Sequence, residues 1–122
     1  MNSVTARTLF VAIFAVVSVL FFWSSPPSGP SGVTHLDKVV HFGLFFIVAA
    51  SLHYAFRLPY WVSIVILTLY GIMIEAIQYH IPGRGADVWD VVADVSGAVS
   101  FFILFDGYKK FRAKRKPGAK FR

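Results

Sequence analysis

The sequence predicts an all-α membrane protein, a compact bundle of four transmembrane helices with both termini cytoplasmic. Three observations predict it. The 122 residues are 57% hydrophobic and only 15% charged, against roughly 45–50% apolar and about 25% charged in an average soluble domain. Four stretches approach the roughly 20 apolar residues that cross a hydrocarbon core of about 30 Å. The basic residues then fall almost entirely on one side of the resulting topology. The chain is short enough for a single domain, and its apolar content excludes intrinsic disorder. It has no cysteine, which removes disulfide scaffolds, Cys-type zinc fingers and thiol nucleophiles.

The first span, residues 9–23, carries no charge and follows Arg7. It ends in Phe21-Phe22-Trp23 rather than in a small-x-small cleavage pattern, so a retained helix is expected rather than a signal peptide. The second span, 39–56, contains His41 and His53; the third, 58–79, contains Glu75; the fourth, 88–105, contains Asp90 and Asp94. Breakers separate them: the Ser/Pro/Gly stretch 24–32, then Arg57-Leu58-Pro59, then Pro82-Gly83-Arg84-Gly85. Residues 1–105 are thus the membrane domain and 106–122 a basic cytoplasmic tail. Trp23, Trp61 and Trp89 fall at span ends, where amphipathic rings anchor at the interface.

Orientation follows from the Lys and Arg count. With a cytoplasmic N-terminus, the inner side holds Arg7, Arg57, Lys109, Lys110, Arg112, Lys114, Arg115, Lys116, Lys120 and Arg122, and the outer side only Lys38 and Arg84. The basic tail follows a membrane span directly. It therefore reads as a topology signal in contact with anionic lipid headgroups, and not as a nucleic-acid site.

The acids lie opposite. Asp37, Glu75, Asp87, Asp90 and Asp94 map to the outer ends of their spans, with His35, His41 and His80, and only Asp106 is inner. Ionisable residues in spans are costly and face a bundle interior or a wet cavity, which makes the outer cluster the candidate site. Asp87, Asp90 and Asp94 share one helical stripe that Gly97 and Phe101 continue; Gly71, Glu75, Gln78 and Tyr79 share another; Asp37 and His41 are one turn apart. Simpler roles compete. Asp87 sits where an N-cap is expected, with Asp90 three residues on as in a capping box, and Thr34 and Asp37 could cap the second span. Capping does not reach Glu75 or Asp94, for which an ion pair between helices is the plain alternative. Arg84, between two glycines, is suited to a carboxylate or a phosphate. His35 and His80 read as interfacial residues, and His53 as a helix-packing donor.

Taken in order, Asp37-Lys38-x-x-His41, Glu75-x-x-Gln78, Arg84 and Asp90-x-x-x-Asp94-x-x-Gly97 resemble the VanZ-like family of bacterial membrane proteins, within 37–97. One departure stands out: Asp94 occupies a position where the family commonly has Asn. The resemblance implies a small multi-pass protein of the bacterial cytoplasmic membrane, in a family whose namesake is associated with glycopeptide (teicoplanin) resistance. It implies no defined reaction.

Three functions suit the residues. In the first, the site binds or modulates an envelope component, a lipid headgroup or lipid-linked precursor: Arg84 and Lys38 hold an anionic group, and Asp37, His41, Glu75, Gln78, Asp90 and Asp94 complete the site. In the second, an enzyme acts on such a substrate, with His41 or Glu75 as base and a protonated Asp90 or Asp94 as acid. No cofactor is required. A divalent cation on Asp37, His41, Glu75, Asp90 and Asp94 is an added option, for which oxygen-rich ligation favours magnesium, calcium or manganese. The third, proton or ion passage, is weakened because His53 stands almost alone toward the inner side.

Overall fold

Apolar side chains on every face suit a helix that is buried or in lipid, because backbone groups in hydrocarbon must be satisfied within the helix itself. The computed structural model describes residues 2–22, 36–81 and 87–115, which form four helices and, among the described residues, no strand: α1 (Ser3–Phe22), α2 (Leu36–Phe56), α3 (Tyr60–Tyr79) and α4 (Val88–Arg115). All four are long and apolar enough to cross a membrane. The expected spans are therefore present with shifted ends. The largest shift is in α4, which runs unbroken from the apolar stretch into the basic segment as far as Arg115. No breaker stands between Phe105 and Arg115, and Lys and Arg are good helix formers. The Ser/Pro/Gly stretch 24–32, Thr34, His35, Trp23, the Pro/Gly stretch 82–85 with Arg84, and residues from Lys116 onward lie outside the described residues.

Successive helices alternate in direction. α2 packs chiefly on α4 and α1, and α4 also on α3, whereas α3 touches α1 and α2 little. The core between them is built from Val17, Phe21, Phe45, Val48, Ala49, Leu52, Leu67, Ile74, Ala98 and Phe102. Without a hydrophobic drive between helices in lipid, close packing and hydrogen bonds must hold them together. Gly97 supplies the closest approach: a Cβ there would run into the Phe42 backbone carbonyl. Across the bundle, the Ser18 and Tyr70 hydroxyls share a 2.6 Å hydrogen bond between α1 and α3.

One end of the bundle is basic and aromatic. Arg7 donates Nε–H to the Ala55 carbonyl at 3.3 Å and lies over the Phe56 ring. The α2–α3 corner turns through Arg57, in the left-handed region at φ 52°, and Pro59, whose carbonyl accepts from Val62 and Ser63 N–H. Buried His53 is ringed by Tyr54, Tyr60, Phe101, Phe102 and Phe105, the last at 4.8 Å between centroids. It packs between helices as expected, but the expected donor role is not seen: its ring makes no hydrogen bond among the described residues, and its buried Nδ1 has no partner. An unmade hydrogen bond on a buried atom costs about 1–3 kcal/mol. His53→Phe is thus expected to raise the melting temperature of the purified protein, by the equivalent of about 1 kcal/mol.

Candidate functional site

At the other end the polar residues of three helices converge. Their positions come from helix periodicity: on α4, Asp90, Asp94, Gly97 and Phe101 are all buried along one stripe, while Trp89, next to Asp90 in the chain, is 66% exposed. On α3, Gly71, Glu75 and Gln78 are buried together. Tyr79 departs from the shared face expected of it: it is 74% exposed, rotated away from the cluster. On α2, His41 is buried, and Asp37 and Lys38 lie one turn nearer the helix start and are more open.

The deepest link is between His41 and Asp94, Nδ1 to Oδ1 at 2.8 Å, both buried. The opposite ring nitrogen, Nε2, faces Asp90 Oδ2 at 3.6 Å. Phe21 covers the imidazole, ring centroids 4.6 Å apart. A carboxylate on one nitrogen sets the tautomer and orientation of a histidine and leaves the other nitrogen for chemistry. Asp94 can sit so deep because Gly71 has no side chain: a Cβ there would be 3.0 Å from Asp94 Oδ2.

Asp87 caps α4, accepting the Trp89 backbone N–H on Oδ1 at 2.9 Å. The expected capping box is completed by a different residue. Its reciprocal bond, from the Asp87 backbone N–H, goes at 2.7 Å to Glu75 Oε2 of α3 and not to Asp90. Asp90 is thereby released into the cluster. Lys38 binds Asp87 Oδ2 at 2.7 Å and stands 3.5 Å from both Asp90 Oδ1 and Asp37 Oδ2. Gln78 donates Nε2–H to the Phe21 carbonyl at 2.8 Å, satisfying one of the orphan carbonyls at the end of α1. Of the residues singled out from sequence, Asp37, Lys38, His41, Glu75, Asp87, Asp90 and Asp94 are brought together. Gln78 is buried beside them with its amide nitrogen committed to α1. His80 lies at the end of α3 against the Tyr79 ring.

Two participants were not legible in the sequence. Phe21 gives no signal distinct from the other apolar residues of its helix. The α3-to-α4 cap crosses between helices, so no local spacing announces it.

Two polar atoms in the cluster are left over: Glu75 Oε1 and Asp94 Oδ2 are buried without a hydrogen-bond partner among the described residues. Two sets of side chains offer ligand atoms lying within 4.8 Å of one another, His41–Glu75–Asp90 and Asp37–Asp87–Asp90. The first is buried apart from its rim; the second is more open and already engages Lys38. The site can therefore accept hydrogen bonds, hold a cation or move a proton at His41 Nε2.

No curated protein and no solved structure matches the chain. The family pattern described as VanZ/LLP1 does match, over residues 2–109, a stretch that takes in the cores of all four helices and every residue of the polar cluster. On that extent, the chain belongs to the VanZ/LLP1 family.

Proposed function

We propose that this protein sits in the bacterial cytoplasmic membrane with both termini inside, and that its polar cluster engages an envelope component at the outer face. The bound species is a lipid headgroup or a lipid-linked precursor. The observation that carries this reading is the cluster itself: His41, Glu75, Asp90 and Asp94 are buried at one end of a largely apolar bundle, with Lys38, Asp37 and Asp87 at its more open side. Burying such groups is expensive, and structural pairing uses only some of their bonding capacity. Arg84, three residues before Asp87 in the sequence, supplies the cation for an anionic group. The basic segment from Lys109 to Arg115 supports the orientation and a contact with anionic lipids. The family association with glycopeptide resistance accords with an envelope ligand.

The test is lipid-resolved mass spectrometry of gently purified protein. The wild type is expected to carry a specific envelope lipid that Arg84→Ala loses, with the variant still present in the membrane at normal level. The same lipid profile in both proteins would overturn the reading.

A second reading, an acid–base enzyme on such a substrate, is favoured by one observation: His41 is oriented by Asp94, and its free nitrogen faces Asp90, the arrangement of a base with its orienting group. Under that reading, cells lacking the protein accumulate a lipid chemically different from the one in wild-type cells, and His41→Ala reproduces the change.

A further inference from the structure

Five carboxylates meet one lysine in the cluster, more acidic groups than Lys38 alone can partner. Lys38 partners some of them, on the open side, where it takes Asp87 Oδ2 and lies near Asp90 Oδ1. On the inner side of Asp90 no Lys or Arg reaches the carboxylates among the described residues, and three groups converge there: Asp90 Oδ2, His41 Nε2 and the Glu75 carboxylate. Glu75 is 9% exposed, and its Oε1 has no hydrogen-bond partner among the described residues while Oε2 is held by α4.

We propose that His41 Nε2, Glu75 and Asp90 bind a divalent metal ion, with Asp94 orienting His41 from behind. The proposal deepens the reading above and rests on that cluster being a binding site.

The geometry suits it. Two ligands each about 2.1 Å from a tetrahedral ion stand roughly 3.4 Å apart, and His41 Nε2 to Asp90 Oδ2 is 3.6 Å. Bound metal would take up the spare Glu75 oxygen and offset two negative charges. The Asp94–His41 bond is the outer-shell contact that metal-ligating histidines make, fixing Nδ1 as the protonated nitrogen and Nε2 as the donor to metal. One imidazole among the ligands shifts the preference away from magnesium and calcium toward manganese or zinc, which accept nitrogen with oxygen. Three protein ligands leave positions open toward Lys38 and the mouth of the site, where an anionic headgroup could complete the coordination. An acidic pocket could in this way hold a phosphate that it would otherwise repel.

The experiment uses full-length protein in lipid-free detergent, stripped with chelator and titrated separately with Mn2+, Zn2+, Mg2+ and Ca2+. Binding is followed by metal analysis after desalting and, for manganese, by electron paramagnetic resonance. The wild type is expected to take up one equivalent of Mn2+ or Zn2+. His41→Ala and Asp90→Asn are expected to abolish uptake, and Asp94→Asn to weaken it by about 10–100-fold while leaving the stoichiometry at one. Asp106→Asn, at the opposite end of the bundle, is the control for detergent and expression effects. No uptake by folded wild-type protein at millimolar metal would overturn the proposal. So would loss of uptake in Asp87→Asn with retention in His41→Ala, which would place the ion on the other carboxylate set. If the histidine variant does not fold, a chelator-reversible nitrogen coupling in the wild-type Mn2+ spectrum decides the question, and its absence counts against His41. Lipid co-purification is read on separate samples, so a failure of metal binding and a failure of lipid binding give different results.

Discussion

Among the described glycines, Gly97→Ala is expected to be the most damaging alanine substitution, and Gly97→Leu to abolish the folded bundle. The added Cβ would fall on the Phe42 carbonyl, a backbone group of α2 that cannot rotate away as a side chain could. α2 and α4 form the most extensive helix pair of the bundle, so separating them to make room would loosen the whole core. Overpacking in a well-packed interior costs about 1–3 kcal/mol, and a clash with backbone belongs at the top of that range. Thermal unfolding in detergent, monitored by circular dichroism, would show the alanine variant melting well below the wild type. Gly43→Ala is the matched comparison, since a Cβ there meets nothing within 4 Å; it should melt as the wild type does. Equal melting of the two variants would mean that the α2–α4 contact is looser than described.

The second large effect is at Asp94. Removing one partner of a buried ionisable pair leaves the other without compensation, a loss of about 3–5 kcal/mol. Asp94→Ala should therefore destabilise strongly, because His41 Nδ1 would lose its 2.8 Å partner beneath the Phe21 ring. Asp94→Asn should be much milder, near the roughly 1 kcal/mol of an ordinary hydrogen bond, since an amide oxygen can still accept from Nδ1–H. Comparing the two by chemical or thermal denaturation separates the need for an acceptor at this position from the need for a charge. If Asn and Ala prove equally harmful, the negative charge itself is what the bundle requires.

The four helices were legible because a span depends on a long run of apolar residues, and 9–23, 39–56, 58–79 and 88–105 each have one. The ends were less so. α4 continues to Arg115 because charged residues favourable to helix follow the span, and a hydropathy reading stops where the lipid would stop. In the site, the stripe Asp90–Asp94–Gly97 was legible from periodicity alone, since all three lie on one buried face. Tyr79 shows where periodicity fails: one turn from Glu75 on paper, it lies far enough around α3 to be exposed. Partner choice was the least legible part. That Glu75 rather than Asp90 completes the cap of α4, and that Gln78 turns to the end of α1, depends on how helices stand side by side. Nothing in the spacing along one helix records that.

The bond from His41 to Asp94 joins residues 53 positions apart, and it bears on how the protein is made. Chains emerge N-terminal end first, so His41 and Glu75 are synthesised well before Asp90 and Asp94. Until α4 arrives, α2 and α3 hold a histidine and a glutamate near the lipid with their later partners missing. Arrival of the last helix caps its own start on Glu75, docks Asp94 on His41 and closes Gly97 against Phe42. Completion of the polar site and completion of the bundle are thus the same event. A chain stalled before α4 would lack both, leaving His41 and Glu75 without their α4 partners.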